Sequence, residues 1–129
     1  MATRTRYIVA FAALSVLAAL LLPAMPQPVA YLDFADHREM LGVANFLDVA
    51  SNAAFVLAGL AGFAVVMRPR TEFAANRERW PYAVFFAGMV LTGLGSAYYH
   101  LVPDNETLFW DRLPMTIAFM SLIAAQVVD

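Results

Sequence analysis

The sequence contains no cysteine and no lysine, and only two of its 129 residues are histidine. The absence of cysteine excludes disulfide bonds and thiolate metal ligands. Charged residues make up only 14% of the chain, whereas 62% of the residues are hydrophobic; a typical soluble domain has about 25% charged residues. The net charge of −2 provides no basic surface, so we expect no nucleic-acid partner. The composition therefore predicts a membrane protein.

The apolar residues fall into four segments, which are 7–22, 46–67, 81–99 and 113–128. Each segment is close to the ~20 residues that a helix needs to cross a hydrocarbon core of about 30 Å. Helices are favoured over strands because a helix satisfies its own backbone hydrogen bonds in lipid. The sequence thus predicts an all-α, multi-pass transmembrane helix bundle of about four helices, with residues 1–129 forming a single domain.

The first segment allows two interpretations. It is either a retained extra helix or signal anchor, or a signal peptide that is cleaved within about the first 30 residues. Arg4 and Arg6 precede the apolar run, as in a signal peptide, and Pro28-Val29-Ala30 resembles the approach to a cleavage point. The rest of the topology is the same in both cases.

The arginines predict the orientation. Arg4 and Arg6 precede the first segment, and four more arginines lie between the second and third segments, namely Arg68, Arg70, Arg77 and Arg79. The positive-inside rule places both regions in the cytoplasm. We expect the 68–79 loop, which also contains Glu72 and Glu78, to be a solvated and salt-bridged connection. Arginine-only basic residues indicate a bacterial gene, so we expect an inner-membrane protein. Both histidines and most of the acidic residues are predicted on the external, periplasmic side, and these acidic residues are Asp33, Asp36, Glu39, Asp48, Asp104, Glu106 and Asp111.

A small and polar stripe runs along the third segment, where Gly88, Thr92, Ser96 and His100 recur every four residues. Small residues and hydroxyl groups are typical of helix packing in membranes, and we interpret Gly88 and Thr92 in this way. Ser96 and His100 allow a second interpretation. Ser96 is either a packing residue or part of a site, because it is paired with His100 one turn later. His100 is either an interfacial histidine or a ligand or general base, because ionisable groups in a span are costly unless they are used.

Asp111 is predicted to open the fourth helix. As an N-cap it would accept the free amides of the first turn, and Pro114 would then lie in that turn, where its missing N–H is not needed. Capping is compatible with a role in a site. The short 101–110 loop makes the third and fourth helices neighbours, so we expect His100 and Asp111 to converge.

Further polar residues precede or begin the second helix. Asn45, Asp48 and Asn52 share one face, and Asp48 is either hydrogen-bonded to the bundle or part of the site. The preceding loop, 33–39, is acidic. It is either an ordinary surface loop or a source of the oxygen ligands that calcium prefers.

Taken together, these residues resemble the alkaline ceramidase family, in particular its bacterial membrane members, in a superfamily shared with progestin and adiponectin receptor-like proteins. The resemblance covers residues 36–121. Its strongest part is S-x-x-x-H followed by an aspartate within D-x-L-P-M, here Ser96, His100 and Asp111-Arg112-Leu113-Pro114-Met115. Residues 46–52 resemble the family's aromatic-x-N-x-x-S-N pattern, with Asp48 in place of the usual asparagine.

The resemblance implies a membrane amidohydrolase that cleaves the N-acyl amide bond of ceramide or a similar lipid. It implies that His100 is a zinc ligand and that Asp111 and Ser96 lie beside the metal-bound water, as general base and oxyanion donor. It also implies a calcium site before the first core helix. The candidate calcium ligands are Asp36, His37, Glu39 and Asn45.

The chain departs from this family in one major respect. The resemblance implies a core of about seven helices, of which this chain matches the first three and has an extra helix in front. The H-x-x-x-H that supplies two more zinc ligands does not occur in this sequence. We therefore expect the N-terminal portion of an enzyme, as a fragment or a natural truncation, that is inactive in isolation. The alternative is a non-catalytic, receptor-like membrane protein; a transporter has little support because no charge lies mid-span.

Overall fold

The computed structural model describes residues 3–23, 25–33 and 36–128 and is helical throughout its long elements. The helices are α1 (Thr3–Leu21), α2 (Phe46–Ser51), α3 (Ala53–Val66), α4 (Arg79–Leu101) and α5 (Thr107–Val128). Only Asn52 separates α2 from α3, so these two helices act as one rod. The prediction of an all-α bundle of about four helical segments is confirmed. The side chain of Arg4, which the orientation prediction uses, lies outside the described part.

Three segments are long and apolar enough to cross a membrane, and they are Phe46–Val66, Asn76–Leu101 and Thr107–Gln126. The apolar part of α1, Arg6–Leu21, is shorter. Two exposed tryptophans agree with spanning helices, since Trp80 is the second residue of α4 at one end of the bundle and Trp110 is the fourth residue of α5 at the other. The Trp110 carbonyl lies beside Gly95 of α4, so the helical rise separates the levels of the two tryptophans by about 24 Å, comparable to the thickness of a hydrocarbon core. Tryptophan is enriched at both membrane interfaces.

The bundle is organised around α4, which packs against α3 on one side and against α5 on the other. Glycines allow these close approaches. A Cβ at Gly93 would lie 2.9 Å from the Asn52 carbonyl oxygen, and one at Gly88 would lie 3.0 Å from the Cβ of Ala118. The packing role predicted for Gly88 is thus confirmed. Among the described residues, α1 makes no substantial contact with the other helices, so whether α1 is retained or cleaved stays a prediction.

The start of α5 corrects the prediction for Asp111. The helix begins at Thr107, so Asp111 lies in its second turn and does not cap it. The cap is Asp104, whose Oδ1 accepts the amides of Glu106 at 2.8 Å and Thr107 at 2.6 Å. Both aspartates precede an apolar run, but the Thr107 hydroxyl also donates to the Val102 carbonyl, and this fixes the turn around Asp104. The carboxylate of Asp111 is therefore not engaged by the amides of a first turn.

Pro114 likewise lies inside α5 rather than in its first turn. A proline has no N–H, so the carbonyl of Trp110, four residues earlier, lacks its usual helical donor. That carbonyl faces Gly95 of α4, and a Cβ at Gly95 would collide with it. Gly95 and Pro114 together bring the backbones of α4 and α5 close together at the level of Asp111.

The Asp104 cap makes the stability of the fold depend on pH in the acidic range. The amide hydrogen bond from Thr107 holds the pKa of Asp104 below its ordinary value of 3.8. A lowered folded-state pKa means that Asp104 stabilises the fold at pH values above 3.8 and loses this contribution as the pH falls through the lowered value. We expect Asp104→Asn to keep the cap but to flatten the loss of stability below about pH 4.

The measurement is the free energy of unfolding in detergent micelles from pH 5 to pH 2, with helix content followed by circular dichroism. Glu106→Gln is the matched control, because Glu106 is exposed in the same loop and its side chain forms no hydrogen bond within the described residues. Equal acid sensitivity of Asp104→Asn and wild type would contradict the role of the carboxylate.

Candidate functional site

A groove of about 390 Å³ opens along one face of α4, between α3 and α5. Two of the predicted site residues, Ser96 and Asp111, line it. The other lining residues are mostly apolar or aromatic, and they are Asn52, Phe55, Phe85, Met89, Thr92, Met115, Ala118 and Phe119. The structure thus brings Ser96 and Asp111 to one cavity, although they come from different helices.

The polar lining lies at one level. From the nearest helix end, the helical rise places Asp111 about 6 Å deep, Ser96 about 7.5 Å deep and Asn52 about 9 Å deep. The apolar wall continues down α4 to Phe85, about 16 Å below Ser96. The groove therefore has a polar upper end near the membrane surface and an apolar lower part within the hydrocarbon region.

The polar residues of the groove differ in how far they are already hydrogen-bonded. Thr92 donates its hydroxyl to the Gly88 carbonyl at 2.8 Å, as the packing interpretation predicts. Asn52 donates from Nδ2 to the Asp48 carbonyl at 2.8 Å. Within the described residues, neither the Ser96 hydroxyl nor the Asp111 carboxylate forms a hydrogen bond. Because partly buried polar groups gain free energy from a partner, these two are the groups that a bound polar molecule would contact.

His100 does not line this groove. It lies one turn beyond Ser96, about 6 Å nearer the membrane surface, at the last turn of α4. Its ring packs beside Tyr99 with 5.3 Å between the ring centroids, and its carbonyl accepts a hydrogen bond from Asn45 Nδ2 at 2.8 Å. The groove thus brings together Ser96 and Asp111, and the expected convergence of His100 with Asp111 stays a prediction.

In the loop before α2, the carboxylate of Asp36 has a structural role. Asp36 is buried, and its Oδ2 accepts the Leu47 amide at 2.9 Å in the first turn of α2. Its Oδ1 accepts the Arg38 Nε at 2.7 Å, and this hydrogen bond holds the pKa of Asp36 below its ordinary value. Asn45, in a left-handed conformation with φ 49°, ends the loop. Asp36 thus stabilises the start of α2.

The other candidate calcium ligands lie apart from this anchor. His37 is exposed and pairs with Asp33 at 3.6 Å, and Glu39 is exposed as well. Asn45 directs its amide nitrogen, a donor, to the His100 carbonyl. In the described ranges 3–23, 25–33 and 36–128, no three histidine, aspartate or glutamate side chains form a group that could hold a metal ion. The calcium and zinc assignments stay predictions, since each requires ligands that these residues do not assemble.

Asp48 takes neither of its two expected roles. Its carboxylate forms no hydrogen bond with the described residues and does not line the groove, whereas its backbone carbonyl accepts from Ser51 and Asn52. Asn52 lines the groove, although the sequence analysis did not propose it as a site residue. Two features of the sequence could have indicated it: it lies four residues after Asp48, and it is a polar residue within a long apolar segment.

The segment that joins α1 to α2 is attached to the same end of the bundle. Arg112 donates to the Tyr31 hydroxyl at 3.0 Å and its guanidinium lies 5.4 Å from the centre of the Tyr31 ring. The backbone amide of Gln27 donates to Asn105 Oδ1 at 2.8 Å. These contacts place the 25–33 segment beside α5, near the polar end of the groove.

Comparisons of the chain with protein-family models, with curated proteins and with solved structures found no match.

Proposed function

We propose that this chain forms part of a membrane amidohydrolase that acts on the N-acyl amide bond of ceramide or a similar lipid. The observation that carries the proposal is the position of Ser96 and Asp111, which lie at one level of an otherwise apolar groove and have no hydrogen bond within the described residues. The resemblance of S-x-x-x-H and D-x-L-P-M to the alkaline ceramidase family supports the same activity.

The shape of the groove suits a membrane lipid as substrate. Its apolar lower part, with Phe85 and Met89, would accommodate an acyl chain. Its polar end lies about 6 to 9 Å below the helix ends, where the amide of a membrane lipid meets the headgroup region. A lipid held in this way has its amide beside Ser96 and Asp111, and its chain does not have to leave the bilayer.

The chemistry assigned to the chain's own residues is limited to two steps. The Asp111 carboxylate accepts a proton from the attacking water as a general base, and it returns this proton to the amide nitrogen as the C–N bond breaks, so that the fatty acid and the amine are released. The Ser96 hydroxyl donates a hydrogen bond to the amide oxygen as negative charge develops on it. Both groups work better in this environment than in water, because the apolar walls of the groove lower the local dielectric.

Zinc is part of what the family resemblance implies, but the described residues do not fit a zinc site. A catalytic zinc ion needs about three protein ligands and an open position, and His100 is neither in the groove nor part of a metal-binding group. Zinc bound to His100 would need ligands from elsewhere. The proton transfer by Asp111 and the hydrogen bond from Ser96 do not pass through a metal ion.

The proposed location is the bacterial inner membrane, with the groove's polar end on the periplasmic side. The arginines at 68–79 support this orientation through the positive-inside rule, because they lie at the opposite end of the bundle from Ser96 and Asp111.

Groove binding is tested with a ceramide that carries a photoreactive acyl chain, cross-linked to the protein in lipid nanodiscs. We expect Met89→Trp, which fills the apolar part of the groove, to lower the cross-linking yield by about tenfold. Adding bulk where a ligand packs costs 1 kcal/mol or more.

The matched control is Leu91→Trp. Leu91 lies two residues away, on the opposite face of α4, in a separate cleft against α5. This variant should bind like the wild type. Equal loss in both variants, or no loss in Met89→Trp, would contradict the assignment of the groove as the lipid site.

A second candidate function is a non-catalytic, receptor-like lipid-binding protein. The observation in its favour is the lining of the groove, which is mostly apolar or aromatic and would hold a lipid chain without turnover. The two candidates predict the same cross-linking result but differ in turnover. Bound ceramide that is released intact, without free fatty acid, favours the non-catalytic protein.

A further inference from the structure

The connection between α3 and α4 carries four of the chain's arginines, at positions 68, 70, 77 and 79, together with Glu72 and Glu78. The salt bridges that the sequence predicted for this loop are not formed. Within the described residues, the ion pairs are those of Asp33 with His37 and of Asp36 with Arg38, both at the other end of the bundle. The loop arginines therefore have no carboxylate partner there.

The loop is nevertheless ordered by its own contacts. Thr71 donates its hydroxyl to the Val65 carbonyl at the end of α3, and its carbonyl accepts from Arg79 Nη2 at 3.2 Å at the start of α4. The Arg79 guanidinium also lies 5.5 Å from the centre of the Phe73 ring. Arg79 is thus used to hold the loop together, and the arginines that remain for a partner are Arg68, Arg70 and Arg77, all of which are exposed.

These three arginines lie in the short connection between two helices that are long and apolar enough to cross a membrane. Arg68 follows the last residue of α3 by two positions, and Arg77 precedes the first residue of α4 by two positions. The side chain of Trp80 next to them is 60% exposed, in the position of an interfacial aromatic anchor. The exposed side chains therefore sit where a spanning helix meets the phosphate layer.

We propose that Arg68, Arg70 and Arg77 form a binding surface for the phosphate groups of anionic phospholipids in the membrane that the bundle spans. The guanidinium group matches a phosphodiester because it donates charge-assisted hydrogen bonds in a planar arrangement. An arginine at an anionic membrane surface contributes about a fivefold preference. The surface is separate from the polar end of the groove, where Ser96 and Asp111 lie at the other end of the bundle.

The two tryptophans provide an experiment that reads each end of the bundle separately. Trp110→Phe leaves Trp80 as the reporter near the arginines, and Trp80→Phe leaves Trp110 at the opposite end. The protein is placed in nanodiscs that contain phosphatidylglycerol and phosphatidylcholine, with bromine on the acyl chains of one lipid at a time. Fluorescence quenching then gives the ratio of the two lipids beside each tryptophan.

We expect about a fivefold enrichment of phosphatidylglycerol at Trp80 and none at Trp110. Replacing Arg68, Arg70 and Arg77 with glutamine should bring the ratio at Trp80 to one. Because three substitutions could disturb the loop, Glu72→Gln provides a second test: it removes an exposed negative charge from the same loop and should raise the ratio.

Several results would overturn the proposal. These are equal quenching by both lipids at Trp80, enrichment that survives in the triple variant with its helix content intact, or no rise in Glu72→Gln. Inorganic phosphate, added at constant ionic strength, should leave the ratio unchanged. A loss of enrichment under phosphate would show a site for free phosphate and would also overturn a lipid partner.

Discussion

Asp111→Asn is expected to lower the release of fatty acid from N-acyl lipids by at least about 100-fold, because a positioned general base contributes on the order of 10² to 10⁴ in rate. Asparagine has nearly the same shape as aspartate, so the groove and the helix keep their form. What it lacks is a carboxylate that takes up a proton. The substitution is made in the gene at its native locus, and hydrolysis of a labelled ceramide is measured in the isolated membranes.

Binding separates the chemical role of Asp111 from a structural one. Cross-linking of the photoreactive ceramide should stay within about twofold of the wild type, since general-base action affects the reaction and not the occupancy of the groove. Glu106→Gln is the control: it removes an exposed carboxylate from the loop before α5 and should leave hydrolysis unchanged.

Two outcomes would count against this role. Retention of more than a tenth of the activity in Asp111→Asn would show that another group accepts the proton. Loss of cross-linking together with hydrolysis would make Asp111 a binding residue, because the substrate would then no longer occupy the groove.

Gly95→Ala is expected to destabilise the bundle by about 2 to 3 kcal/mol, which is typical of overpacking at a tight contact. The added Cβ would meet the backbone carbonyl of Trp110 rather than a movable side chain. Relief of the clash requires α5 to move away from α4, and Asp111 is the next residue along α5. We therefore also expect weaker ceramide cross-linking in this variant.

Gly62→Ala is the matched control for Gly95→Ala. It lies in α3, facing the ring of Phe86, so the collision there is with a side chain that can rotate away. Both substitutions gain the same intrinsic helix propensity. Thermal unfolding of the two variants in detergent micelles compares them directly. If Gly95→Ala melts no lower than Gly62→Ala, the close backbone approach of α4 and α5 is not present.

The site could be predicted in part because its residues follow helical periodicity. Four residues advance a helix by about 400°, so each member of the 88, 92, 96, 100 stripe is rotated by about 40° from the previous one. His100 is rotated by only about 20° from Met89, which lines the groove, so it stays close to the groove face. It lies outside the groove because it is one turn, about 6 Å, beyond Ser96 towards the end of α4, and the spacing alone did not show where the groove ends.

The structural roles of the aspartates could not be predicted as well from the sequence. Asp104 and Asp111 both precede apolar residues, and Pro114 favoured the later start for α5. The choice was decided by the Thr107 hydroxyl, which bonds to both Asp104 and Val102 and begins the helix earlier. In the same way, the acidic loop before α2 could not show that Asp36 is consumed by Arg38 and the Leu47 amide, which is eleven residues away.

The sequence by itself determined the membrane class, the number of helical segments and the adjacency of α4 and α5, because these follow from apolar length and from a short connection. It also selected Ser96 and Asp111, since polar groups at the edge of a span are costly and few. Only the tertiary structure decided that these two share a groove with Asn52 while His100 lies outside it. The physical reason is that residues of different helices share a groove only when they lie at the same level. That level is set by packing between segments, through close contacts such as Gly95 with Trp110.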